Sequence, residues 1–173
     1  VRTSILSLIV HRSSFIVVLT AALLLSACGF QLRGTADLPF KTLYVQGPSS
    51  SQFVLQLKRA VEAGTRTRIT DSPADAEVVL QILSELQEKE ILSLTGGGRV
   101  NEFLLRYRVS FRLTDKLNHE HIPASEIVLR QSVTFNSDQT LSKEYEEANL
   151  YKSMRNDAVQ QLLRRLHATQ LKS

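Results

Sequence analysis

Between Phe103 and Thr114 the chain alternates without a break. Phe103, Leu105, Tyr107, Val109, Phe111 and Leu113 take the odd positions, and Leu104, Arg106, Arg108, Ser110, Arg112 and Thr114 the even ones. A helix would scatter these side chains around its circumference, whereas a strand sends them to opposite faces. The run is therefore a strand with one apolar face and one that carries Arg106, Arg108 and Arg112. A strand of this kind needs cover on one side only, which calls for a sheet with one wet face and helices on the other.

The rest of the chain supplies the partners. Thr42 to Val45 reads as a short strand stopped by Gly47-Pro48. Phe53, Leu57, Ala60 and Val61 follow at helical spacing with Val54 beside them, while Lys58, Arg59 and Glu62 lie off the stripe. Serines stand ready to cap this helix, and Gly64 suits its end. After a turn at Asp71 to Asp75, Ala76, Val78, Leu80, Ile82 and Leu86 alternate against Glu77, Gln81, Glu85 and Gln87. This half-buried strand weakens at Lys89-Glu90, resumes at Ile91-Leu92 and turns back at Gly96-Gly97-Gly98, as a hairpin does. Beyond a polar turn at Asp115 to Pro123, Ile127, Leu129, Val133 and Phe135 share a strand face, opposite Arg130, Ser132 and Thr134. Asn136 to Ser142 reads as a loop. Tyr151, Met154, Ala158, Leu162 and Leu166, widened by Val159 and Leu163, mark a long terminal helix. Its acids, Glu144, Glu146 and Glu147, come early and Arg164, Arg165 and His167 late, as the helix dipole favours. The order is β-α-β-β-β-α. The expected fold class is α+β, a two-layer sandwich with a four-stranded sheet and two helices on one face.

The N-terminal stretch has a different character. Arg2, His11 and Arg12 precede a run from Ser13 to Ala27 without charge, and Leu25-Ser26-Ala27-Cys28-Gly29 ends it. A basic start, an apolar run and small residues form the pattern of a secretory signal. The run is short of the roughly 20 residues that span a bilayer. Leu-Ser-Ala-Cys resembles a bacterial lipobox, in which cleavage leaves a lipid-modified cysteine at the new N-terminus. The expectation is a lipoprotein signal peptide over 1–27, a lipidated tether over 28–40 and one α+β domain over 41–173. Gly29 stands where an Asp would retain a lipoprotein in the inner membrane, so the address reads as outer membrane. Cys28 is the one cysteine, so the chain forms no internal disulfide. Cleavage would leave 19 basic against 17 acidic residues, too even a balance for the basic footprint of a nucleic-acid binder.

Motifs for catalysis are absent from the sequence. There is no Gly-x-Ser-x-Gly elbow, and Gly96 to Gly98 lacks the Gly-Lys-Ser/Thr ending of a phosphate loop. His119-Glu120-His121 brings two imidazoles near each other, but metal sites take three or four ligands and no further His or Cys lies near. Neither enzyme activity, cofactor nor metal is expected. The arginine face offers an anion-binding surface, since guanidinium recognises phosphate bidentately; equally, a wet strand face simply needs polar side chains.

Several stretches together resemble one family. Cys28-Gly29-Phe30-Gln31-Leu32-Arg33-Gly34 opens the match, and Thr42-Leu43-Tyr44-Val45 and Ser72 to Leu80 continue it. Asn101 to Val109, Met154-Arg155-Asn156-Asp157-Ala158 and Gln161 to Leu166 complete it. In this order and spacing the chain is similar to the LPS-assembly lipoproteins of the LptE family. The resemblance implies two helices on a four-stranded sheet, an outer-membrane lipoprotein seated as a plug in the LptD β-barrel, and help in assembling that barrel and delivering lipopolysaccharide to the outer leaflet. It also implies basic lipopolysaccharide contacts at the loop between the two long strands and at the start of the last helix. Arg99 and Lys143 stand in those regions, and Arg106 and Arg108 add to the candidate set. The rival reading is a stand-alone periplasmic lipid-binding lipoprotein auxiliary to a transport system.

Overall fold

A computed structural model describes residues 37–134 and 140–170. The signal segment, Cys28 and Phe135 lie outside them. Five strands and two helices follow in order: β1 (Thr42–Gln46), α1 (Gln52–Gly64), β2 (Arg68–Ile69), β3 (Val78–Leu94), β4 (Val100–Asp115), β5 (Glu120–Thr134) and α2 (Thr140–His167). The fold is α+β with one mixed sheet in the order β2-β1-β3-β4-β5. β1 runs parallel to both β2 and β3, and β3, β4 and β5 form an antiparallel meander.

The sheet thus has five strands where the sequence led us to expect four. The extra strand, β2, is two residues long, and alternation has no length over which to show itself there. Backbone bonds hold it: the Arg68 N–H donates to Lys41 O at 2.9 Å and the Thr70 N–H to Leu43 O at 3.0 Å.

The helices form where expected. Ser51 caps α1, its Oγ accepting the Val54 N–H at 3.1 Å, and Phe53, Val54, Leu57 and Val61 are buried against the sheet. Gly47 allows the tight passage from β1 into α1, because a Cβ there would stand 2.9 Å from Val54 Cγ2. α2 begins at Thr140, inside the expected loop, which moves Glu144, Glu146 and Glu147 past its first turn. Tyr151, Met154, Ala158, Val159, Leu162 and Leu166 bury its apolar stripe, and Arg164, Arg165 and His167 close its last turn. Each fully buried Leu, Val or Phe contributes about 1.5–3 kcal/mol relative to exposure. Leu38 and Phe40, at the end of the expected tether, are buried in the same core.

One bulge reorganises β3. Ile82 pairs with Phe111 and Ser84 with Ser110, so Leu83 is an extra residue. An added residue reverses the alternation beyond it. The helix face therefore takes Val78, Leu80 and Ile82 before the bulge, then Glu85, Gln87, Lys89 and Ile91, each opposite an odd-numbered residue of β4. Leu86, expected inside, is 47% exposed. Glu85, expected outside, accepts hydrogen bonds from Tyr107 Oη at 2.6 Å and Ser51 Oγ at 2.5 Å. Burial, and next the Glu85 hydrogen bond, push the Tyr107 phenol far above its ordinary pKa.

The turn from β4 to β5 is shorter than expected, because β5 already starts at Glu120. Asp115 Oδ1 closes it by accepting the His119 N–H at 2.9 Å and the Leu117 N–H at 2.8 Å. These bonds, the one from His119 foremost, hold the Asp115 carboxyl below its ordinary pKa. Pro123 falls inside β5, at a bulge on an edge strand, where its missing N–H costs no ladder bond.

Candidate functional site

Two of the four candidate residues, Arg99 and Lys143, lie toward one end of the long meander. Its hairpin closes over Thr95 to Arg99: the Thr95 N–H donates to Arg99 O at 2.7 Å and the Gly98 N–H to Thr95 O at 2.9 Å. Gly98 has φ +76°, a left-handed conformation that a side chain would strain. Arg99 follows it, exposed and without a side-chain partner among the described residues. Ile91, Leu92 and Leu94 are exposed beside it. The tip thus joins a cation to an apolar surface.

Lys143 lies at the same end, in the first turn of α2. Its Nζ meets Glu146 at 2.7 Å. With Lys89, Phe103, Val133, Thr134 and the acids Glu144 and Glu147, it lines a groove of about 230 Å³. Lys89 Nζ sits 4.3 Å from the centre of the Phe103 ring and 2.5 Å from Glu147. Phe103 is on the apolar face that alternation gives, but Lys89 is a groove residue that alternation alone does not find. Without the Leu83 bulge, Lys89 counts to the wet face; with it, Lys89 reaches the helix side.

Arg106 and Arg108 lie on the opposite, outer face, in a ladder of acids. Arg106 forms a bidentate pair with Glu90 at 2.6 and 2.9 Å, and its Nη1 lies 3.8 Å from Glu88. Arg108 reaches Glu88 at 3.6 Å and Glu126 at 3.1 Å. Arg112 donates to Gln81 at 2.5 Å and stands 3.9 Å from Glu120. The structure therefore brings Arg99 and Lys143 to one end and keeps Arg106 and Arg108 apart from both, on the other face, paired with acids of β3 and β5.

A model of the lipopolysaccharide-assembly family LptE matches residues 40–166, which span every strand and nearly all of α2. The chain belongs to this family. Among curated LptE relatives, the LPS-assembly lipoprotein LptE of Yersinia enterocolitica is 29% identical over 172 residues, covering 94% of this chain and 81% of its own. That of Pectobacterium atrosepticum is 26% identical, covering 90% and 85%. Among solved structures, lipoprotein B of Nitrosomonas europaea is 40% identical with a TM-score of 0.72, covering 81% of this chain and 91% of its own. Rare lipoprotein B of Shewanella oneidensis, 22% identical, shares the fold with a TM-score of 0.65 over 73% of this chain and 94% of its own. Arg99, Arg106, Arg108 and Lys143 all fall within the LptE match. Among the described residues no helix is long and apolar enough to cross a membrane.

Proposed function

We propose that this chain is an outer-membrane lipoprotein, held by lipid on Cys28, that plugs and helps assemble the LptD β-barrel and assists insertion of lipopolysaccharide into the outer leaflet. The observation that carries this reading is the LptE match across the packed domain. The geometry is in keeping with it. The lumen of a large outer-membrane barrel is polar, and the outer sheet face is largely polar, with Arg106 and Arg108 paired to neighbouring acids. At the hairpin end, Arg99 and Lys143 are the groups we assign to lipid phosphates. Lys143 exchanges Glu146 for phosphate at little cost, because an exposed ion pair contributes only about 0–1 kcal/mol. Arg106 and Arg108 join only by giving up Glu90 and Glu126, so they serve first as barrel-facing polar surface. The role is non-catalytic.

The test of the phosphate contacts is retention of lipopolysaccharide by Arg99→Ala/Lys143→Ala. Hydrogen bonds to charged groups contribute about 1.5–3 kcal/mol, so affinity should fall by at least about tenfold with the thermal midpoint unchanged. Unaltered retention would remove both residues from the site. Arg106→Gln/Arg108→Gln should leave retention near wild type. Charge reversal is the wrong test there, since it would set like charges opposite Glu88, Glu90 and Glu126.

A further inference from the structure

The turn between β4 and β5 lies at the far end of the sheet. β4 has 16 residues, which at ~3.3 Å each puts this turn about 50 Å from the hairpin tip. Three potential ligands converge there. The nitrogens of His119 and His121 and a carboxylate oxygen of Asp115 all lie within 4.8 Å of one another. His119 Nδ1 is 3.9 Å and His121 Nε2 3.5 Å from Asp115 Oδ2. The two rings meet edge to face, with centroids 5.1 Å apart.

The backbone prepares this arrangement. Asp115 Oδ1 is engaged by the N–H groups of Leu117 and His119, which fixes the carboxylate and leaves Oδ2 turned toward the imidazoles. A ligand carboxylate secured by hydrogen bonds is the usual support of a metal site. Asn118, at φ 60°, provides the left-handed residue that folds His119 back over Asp115. His121 is the decisive member. Its side chain is only 3% exposed, yet it makes no side-chain hydrogen bond among the described residues. The ring nitrogen that faces the site is Nε2, and its 3.5 Å to Asp115 Oδ2 is long for a hydrogen bond. A cation between Nε2 and the carboxylate engages a lone pair that an acceptor-only carboxylate cannot. The remaining side is open: His119 is 51% exposed. Asp75 and Glu77 share a shallow depression with Asp115 and Lys116, which adds negative charge to the approach.

We propose that Asp115, His119 and His121 bind a divalent transition-metal ion, with Zn²⁺ the best match to two imidazoles and a carboxylate. Metal–nitrogen distances of about 2.0–2.1 Å in a tetrahedral site require ligand atoms roughly 3.3–3.4 Å apart. The observed separations close to that value by rotation of the exposed His119 ring, with His121 held in place. Water completes the coordination. A metal bound here clamps the β4–β5 turn.

The test is calorimetric titration of Zn²⁺ into the full-length protein, purified in mild detergent with a histidine-free tag. Mg²⁺ is the control. One Zn²⁺ per chain is expected, with no response to Mg²⁺. His119→Ala and Asp115→Asn should each weaken Zn²⁺ binding at least about tenfold, the least that loss of a metal's supporting group costs. Asp115→Asn keeps the side-chain oxygen that accepts the turn's N–H groups, so its fold is retained. Absence of one-to-one binding would overturn the proposal. So would binding that both variants leave unchanged, since it would then belong to other histidines. Either result leaves the lipopolysaccharide reading untouched.

Discussion

Tyr107 shows how much one residue carries at the residue scale. Its ring is fully buried beneath α1, 6.5 Å from that of Phe53, and its hydroxyl donates to Glu85. Tyr107→Phe removes a hydrogen bond to a carboxylate, for an expected loss of about 1.5–3 kcal/mol in urea unfolding at pH 8. The same substitution should alter the alkaline response. Because the folded phenol is raised above its unfolded pKa of about 10, its stabilisation is whole below that pH and declines as the pH climbs toward the folded value. Wild-type stability should therefore fall between about pH 9 and 11, and the variant's fall should be shallower. Tyr151, raised chiefly by burial and then by Glu147, keeps part of the slope. Equal slopes in the two proteins would contradict this account. Half of this pair was legible beforehand: the odd-numbered face of β4 put Tyr107 inside. Its partner was not, because Glu85 counts to the other face until the bulge is known.

At the scale of elements, the Leu83 bulge decides most. Nothing announces it: Ile82-Leu83-Ser84-Glu85 holds neither Gly nor Pro, and Leu83 passes for an ordinary strand residue. The register of pairing reveals it, and register is a tertiary property. The expected arginine face suffered the same limit. Alternation correctly placed Arg106, Arg108 and Arg112 on one side, but only the pairing of β4 with β3 and β5 brings Glu88, Glu90 and Glu126 beside them. The bulge also makes a sharp prediction. Deleting Leu83 joins Ile82 directly to Ser84 and preserves every pairing on both sides. Deleting Gln87 reverses the faces of the strand beyond it and turns Lys89 and Ile91 outward. The first deletion should keep a cooperative thermal transition near that of the wild type, and the second should lose several degrees or the transition itself. If the two deletions behave alike, the bulge is not the phase switch described.

For the whole molecule, period and composition gave the α+β class, both helices and all three long strands, because each has a long apolar stripe to declare itself. β2 escaped for want of length, and the Asp115 ligand escaped because its distance from His121 is set by a turn. The family resemblance rests on motifs in order, from Cys28-Gly29-Phe30 to Met154-Arg155-Asn156-Asp157-Ala158, and is upheld by the match over 40–166. Within that family the central claim is partnership with a barrel. The most direct measurement is affinity purification of the tagged full-length protein from outer membranes in mild detergent, with identification and quantification of what co-elutes. A large β-barrel protein near one-to-one stoichiometry is the expected result. A protein that elutes alone, with no barrel at any detergent concentration that preserves its fold, would contradict the plug.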